Sequence, residues 1–354
     1  MSALRELAAT HGVIVCCGSG GVGKTTTAAA LAIEGARRGR RACVVTIDPA
    51  RRLADALGLD ALTNTPGTVE GDWPGQLSAL MLDTKTTFDQ VVARYAATAD
   101  QAERIISNGL YRNISGALSG TQEYMAMEKL FELHDSGDYD LIVIDTPPTR
   151  NALDFLDAPR RLTKFLDNRI FRLLVMPTRA YLKAVGAATQ AVLKTISKVV
   201  GTEVVGDAVA FFRAFEGMEE GFRNRAQEVL ELLAADETAF VVVTSPRRDA
   251  VIEAVYFAER LDEAGLGVDG LIVNRVHPTF GATPGGPVTA PNGASPELVE
   301  LYENLRDFVQ VAGREVAHVA EVAEKVAPAP VAKVPYLVDD VHDVAGLGQI
   351  LQHL

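Results

Sequence analysis

Cysteine is scarce in this 354-residue chain: Cys16, Cys17 and Cys43 are the only three, and neither a C-x-x-C pair nor a disulfide framework can be drawn from them. All three fall in expected core strands, which suits a reducing cytoplasm. Positive charge is also short. Lys and Arg total 34 against 46 Asp and Glu, a formal net charge of -12, and no basic cluster stands out. That argues against nucleic acid as a partner, since a phosphate backbone must be met by grouped Lys and Arg. No apolar run approaches the ~18 residues needed to span a bilayer, and the first residues reach Glu6 and His11 without an apolar signal region. The expectation is a soluble cytoplasmic protein without a transmembrane segment. No internal repeat is visible, while 48% hydrophobic content is enough for a large core.

What is present is concentrated first at Val13–Thr26, V-I-V-C-C-G-S-G-G-V-G-K-T-T. The short apolar run Val13–Cys17, ended by glycine, predicts a buried parallel strand. Gly18, Gly20, Gly21 and Gly23 permit a tight turn with inward amides, and Lys24-Thr25 opens a helix to about Arg38. Gly18 and Gly23-Lys24-Thr25 fit G-x-x-x-x-G-K-[ST], a phosphate-binding loop in which lysine reaches the β- and γ-phosphates and the hydroxyl ligates Mg²⁺. The candidate nucleotide contacts are therefore Gly18, Ser19, Gly20, Gly21, Val22, Gly23, Lys24, Thr25 and Thr26. There is one such loop, hence one nucleotide site per chain.

A second strand, Ala42 to Ile47, stops at Asp48-Pro49. Asp48 then lies on the sheet edge where open α/β folds bind ligands, yet it could equally cap the helix that Pro49, Ala50 and Leu53 begin. Residues 63–75 read as a loop, Leu77 to Leu82 as a strand, and Thr84 to about Leu133 as helix interrupted at Gly109, Gly116 and Gly120. Leu141–Ile144 followed by Asp145 has the form of a Walker B strand, whose aspartate holds Mg²⁺ directly or through water. A second helical block spans about 151–235. Its aromatics, Phe155, Phe165, Phe211, Phe212 and Phe215 among them, are read as core or as a groove for an apolar client. Strands resume at Phe240–Thr244 and Gly270–Asn274, joined by a helix from Asp249 to Ala264. Asn274 is placed where an amide can read a base. A proline- and glycine-rich loop, 278–296, precedes a long helix from Pro296 to about Lys325, a strand Val331–Val334 and a closing helix.

These motifs together resemble the ArsA family of P-loop ATPases, whose members include an arsenite-pump ATPase and an ATPase that targets tail-anchored membrane proteins. The residues carrying the resemblance are G-S-G-G-V-G-K-T-T at 18–26, T-I-D-P-A-R-R-L at 46–53, D-T-P-P-T at 145–149, I-V-N-R at 272–275 and, more weakly, V-P-Y-L-V-D-D-V-H-D at 334–343. The resemblance implies an α/β P-loop NTPase domain over 1–354: a mostly parallel sheet flanked by helices, with an inserted helical subdomain from about 84–135 and 151–235. It implies ATP and Mg²⁺ as cofactors, and hydrolysis by a homodimer or a heterodimer with a related ATPase. The helical block would face a membrane-protein or apolar client. By the same resemblance Lys24 and Asp48 are catalytic, Asp48 orienting the attacking water, and Thr25, Asp48 and Asp145 form the metal set. Asn274 and Pro335 would contact the base. Two departures stand out. Ser19 occupies the place of the family's signature lysine, so that Arg51, Arg52 or a lysine-bearing partner would have to supply the missing charge. Arg150 and Asn151 replace the Gly-His that ends the family's second switch. The zinc- and arsenite-binding cysteines have no equivalents, so neither named cargo carries over.

Overall fold

A computed structural model describes residues 3–48, 50–109, 111, 121–147, 158, 160, 163, 164, 210, 211, 214 and 216–354. Arg150, Asn151 and most of 151–215, including Phe155, Phe165, Phe212 and Phe215, lie outside the described residues. The chain divides into two compact units: Met1–Met81, Leu133–Leu153 and Ala234–Leu354 form the first, Leu82–Glu132 and Asp154–Leu233 the second.

The first unit is built on an eight-stranded sheet. Its strands are β1 (Val13–Cys17), β2 (Arg41–Thr46), β3 (Gly67–Thr68), β4 (Gln76–Met81), β5 (Leu141–Asp145), β6 (Thr238–Thr244), β7 (Gly270–Val276) and β8 (Val331–Pro335). They lie in the order β3-β4-β2-β5-β1-β6-β7-β8, all neighbours parallel except β3 with β4. The expected loop 63–75 thus contains a two-residue edge strand, too short to leave a periodic signal. Every residue of β1, β5 and β6 is buried. That is why these strands read as unbroken apolar runs: a parallel sheet covered on both faces leaves no wet side to demand alternation. The three cysteines are buried thiols, and burial pushes the Cys17 thiol up to about 12.

Helices α1 (Ala3–Thr10), α2 (Lys24–Arg37) and α3 (Arg52–Leu57) lie within this unit, with α8 (Arg248–Glu263), α9 (Pro296–Lys325) and α10 (Val344–His353). Helix α2 follows the phosphate loop and is buried on nearly its whole circumference, packed by α1, α3, α10 and the strands. Its alanines, Ala28, Ala29, Ala30, Ala32 and Ala36, are good helix formers and small enough to admit neighbours on several sides. Glu34 is buried there but satisfied, accepting from Arg5 and Arg38 at 2.9 Å each. Helix α9 buries one stripe, Val309, Ala312, Glu315, Val319 and Val322, whose three- and four-residue spacing is that of a helix face. The expected Pro296–Lys325 range holds at both ends, where Ser295 caps the helix by accepting from the Leu298 amide at 3.3 Å.

In the second unit, α4 (Thr84–Tyr95), α5 (Ala99–Ile106) and α7 (Glu219–Leu233) are regular helices. Helix α6 (Thr121–Asp135) begins there and runs on to the first unit. The predicted helix, expected to be interrupted first at Gly109, breaks earlier, at Ala96–Thr98, because Thr98 is a better start than an interior residue: its hydroxyl caps α5 at the Gln101 amide. Buried Glu128 is held by Arg225 at 3.1 Å and Arg94 at 3.3 Å, and the Arg225 guanidinium also lies over the Phe131 ring. Burial still pushes the Glu128 carboxyl above its ordinary value.

Candidate active site

The loops leaving β1, β2, β5 and β7 share the C-terminal edge of the sheet. In the strand order the chain leaves β1 toward β2 and leaves neighbouring β6 the opposite way toward β7, and such a reversal of strand order opens a crevice for ligands. The glycine loop fills it. Gly18 adopts φ +152°, and a Cβ there would stand 2.0 Å from the Val243 carbonyl oxygen of β6. Gly23 adopts φ +100°, and its Cβ would meet the Asn274 amide nitrogen at 2.2 Å. Both positions therefore require glycine twice over, for backbone angle and for space.

Lys24 begins α2 nearly enclosed, its Nζ donating to the Ser19 carbonyl oxygen at 2.9 Å. Burial pulls the ammonium below its ordinary value, opposed chiefly by the Asp145 carboxylate. Asp145 closes β5 with 1% exposure. Its Oδ2 accepts from the hydroxyls of Thr25 at 2.7 Å and Thr46 at 2.8 Å, while Oδ1 has no hydrogen-bond partner among the described residues. Burial raises the Asp145 carboxyl, countered by these two hydroxyls and by Lys24. An unsatisfied buried carboxylate oxygen costs about 1–3 kcal/mol and more when charged, so it marks a position built for a further electropositive partner.

Thr25 and Asp145 line a cavity of about 460 Å³ together with Gly21, Gly23, Lys24, Thr26, Asp48, Arg52, Asp55, Thr146, Arg275 and His342. A Mg²⁺ ion fits this donor set: Mg²⁺ is usually bound by one or two carboxylates plus substrate phosphates, and here a hydroxyl oxygen is held by a carboxylate whose other oxygen is orphaned. Asp48 joins the same cavity. It does not cap α3, whose N-cap is Arg51. Its Oδ1 instead accepts from the Ala50 amide at 2.9 Å and its Oδ2 from Arg52 at 3.3 Å, so the carboxylate ties the loop that presents it. Of the two arginines considered for charge compensation, Arg52 lines the cavity and Arg51 does not.

Ser19, Gly20, Gly21 and Val22 line a second cavity of about 260 Å³ with Ser245, Arg247, Glu253, Arg275, His277 and Tyr336. Asn274 and Pro335 line neither cavity. The Asn274 Nδ2 donates to the Val22 carbonyl oxygen at 2.9 Å and its Oδ1 accepts from the Arg275 amide at 2.9 Å, which leaves one amide hydrogen and one lone pair uncommitted. Thr46, Thr146, Arg275, Val341 and His342 were not singled out by sequence. Thr46, Thr146 and Arg275 sit within the motifs T-I-D-P, D-T-P-P-T and I-V-N-R, and Val341 and His342 within the weaker V-P-Y-L-V-D-D-V-H-D, so the family resemblance covered them although no chemical reason for choosing them was visible.

The family model of the anion-transporting ATPases matches residues 11–283, which takes in the glycine loop, Asp48, Asp145 and Asn274. The chain belongs to the anion-transporting ATPase family. As a member it is an ATP-hydrolysing enzyme. Among its relatives, the "Putative arsenical pump-driving ATPase 1" of Aquifex aeolicus is 24% identical over 352 residues, covering 96% of this chain and 78% of that protein. The "ATPase ASNA1 homolog" of Dictyostelium discoideum is 26% identical over 260 residues, 73% of this chain and 70% of the relative. "ATPase GET3B" of Arabidopsis thaliana is 29% identical over 279 residues, 74% of this chain and 63% of the relative. This ATPase shows no helix among its described residues long and apolar enough to cross a membrane.

Proposed function

We propose that this ATPase is a Mg²⁺-dependent dimeric switch that couples its nucleotide state to a partner or client, working in the cytoplasm as one ATPase domain with an inserted helical subdomain. The observation that carries the reading is Asp145, whose Oδ2 holds the Thr25 hydroxyl while its buried Oδ1 has no partner among the described residues, lining one cavity with Thr25 and Lys24. The loop amides and Lys24 bind and orient the β- and γ-phosphates of ATP. Thr25 and Asp145 would hold Mg²⁺, which supplies neutralisation of the phosphate oxygens. Asp48 orients a water for in-line attack on the γ-phosphorus: the new P–O bond forms as the bond to the β–γ bridging oxygen breaks, giving ADP and phosphate. Asn274 would meet the base with the amide hydrogen and lone pair that its bonds to Val22 and Arg275 leave over, and Pro335, at the end of the neighbouring strand, would pack against it.

The charge balance supports a slow isolated enzyme. Phosphoryl transfer depends on cations at the developing charge, and Ser19 supplies none. Of the two arginines considered for compensation, Arg52 lines the cavity but donates to Asp48. A weakly hydrolysing nucleotide sensor is therefore the second reading, and a chaperone-like carrier of apolar segments a third. Of the residues that would form the carrier's surface, 155–235, most of those up to 215 fall outside the described residues. The test is Lys24→Ala: calorimetry with ATP and Mg²⁺ should show affinity reduced by ~100-fold or more, because a buried triphosphate loses a charge-assisted contact worth several kcal/mol. Unchanged affinity would remove the phosphate-loop assignment.

A further inference from the structure

The end of β7 departs from strand geometry at one residue. In the register with β8, Asn274 faces Val334 and Val276 faces Pro335, so Arg275 is an extra residue, a bulge. Its φ is +61°, a left-handed conformation that side chains other than glycine, asparagine and aspartate rarely adopt. A regular strand would send the side chains of 274 and 275 to opposite faces. Here both reach the phosphate loop: the Asn274 Nδ2 donates to the Val22 carbonyl oxygen at 2.9 Å, and the Arg275 Nη1 donates to the Gly21 carbonyl oxygen at 3.0 Å. Two successive side chains thus grip two successive carbonyls, and Arg275 borders both cavities.

We propose that Arg275 is a positioning residue for ATP binding, clamping the Gly21 carbonyl of the phosphate loop while Asn274 clamps that of Val22. The consequence follows from peptide geometry. A trans peptide is planar and its C=O and following N–H point in opposite directions, so fixing the Gly21 and Val22 carbonyls on the β7 side fixes the Val22 and Gly23 amides away from it. Those amides are among the donors that a phosphate loop must aim inward, and donors fixed before binding cost no reorganisation when the phosphates arrive. The strained backbone at 275 is tolerated because it delivers a guanidinium that a regular strand would point elsewhere. Phosphate contact by Arg275 itself is not required, and its role applies equally to ATP and ADP, whose β-phosphates the loop holds alike.

The inference rests on the ATP site described above, and Arg275→Gly tests it without the usual confusion with folding. Glycine is at ease at φ +61°, so the substitution relieves the backbone while deleting the clamp. Binding of ATP and of ADP, each by calorimetry with Mg²⁺, should weaken by the same factor, about ten-fold or more as expected for losing a charged hydrogen bond. The thermal midpoint without nucleotide should be equal or higher, and kcat should fall less than KM rises. Arg275→Lys should recover part of the affinity. ATP and ADP affinities within about two-fold of the parent overturn the clamp. So does a loss for ATP alone, which would make Arg275 a γ-phosphate contact, and so does a lowered midpoint in step with the affinity, which would make it merely structural. Lys24→Ala is run beside it. If that variant binds ATP normally, the site itself is misassigned; if it fails to bind while Arg275→Gly binds as the parent, only the clamp is wrong.

Discussion

Replacing Asp145 by asparagine separates the metal role of this carboxylate from its place in the fold. With its carbonyl in the position of Oδ2, the amide keeps the hydrogen bonds from Thr25 and Thr46. Its NH₂ then occupies the Oδ1 position, where the carboxylate has no hydrogen-bond partner, and an unsatisfied buried donor costs about 1–3 kcal/mol. Against this, the variant no longer buries a charge, though Lys24 loses its attraction. The opposing terms are of similar size, so stability without nucleotide should change by no more than about 2 kcal/mol in urea unfolding. Its pH dependence has a definite sign. Burial raises the Asp145 carboxyl in the folded chain, so the folded state holds the proton more tightly than the unfolded one. The contribution of that carboxyl is fully present below the unfolded value, about 4, and is lost as pH rises through the raised value. Asparagine has no such loss, and the comparison must shift in its favour from pH ~4 toward neutrality. Function should move much further. Parent protein should bind ATP more tightly with Mg²⁺ than with a chelator, and the variant should lose that increment, a change of ~10–100-fold in metal affinity. A variant that keeps the full Mg²⁺ increment refutes the assignment of Oδ1 as a metal-facing atom.

Asp48→Asn should leave ATP affinity near that of the parent and suppress turnover by ~100-fold, since an amide cannot take up the water's proton; phosphate release at the parental rate would reduce Asp48 to its tie with Ala50 and Arg52. Ser19→Lys should speed turnover of the isolated protein by restoring the cation that the family resemblance places at this loop position; an unchanged rate would show that the site does not lack a cation. Gly18→Ala should cost more than ~3 kcal/mol in chemical denaturation, because a Cβ would press on the Val243 carbonyl in a disfavoured backbone conformation. A loss below ~1 kcal/mol would mean that the loop gives way there.

The sequence by itself determined the features whose causes are local. Apolar runs closed by glycine or aspartate located β1 and β5, because a strand buried on both faces needs no partner in sequence to be recognisable. The G-x-x-x-x-G-K-T spacing located the phosphate loop because backbone angle and helix start are properties of adjacent residues. The Pro296–Lys325 helix was readable from its Ser295-Pro296 start, its α-helical stripe and the Pro-containing linker beyond it. Tertiary structure alone decided what depends on distant segments meeting. It gave Asp145 two hydroxyl donors from 120 and 99 residues away and left its other oxygen bare. It also brought the bulged end of β7 onto carbonyls more than 250 residues earlier, 254 for the Arg275 bond and 252 for that of Asn274. No periodicity announces a bulge, since it is an interruption of register between two strands rather than a pattern along one. The competition at Asp48 between capping a helix and facing the ligand edge was likewise undecidable from an aspartate before proline: the same residue satisfies both descriptions, and only the placement of Arg51 at the helix start removed the first.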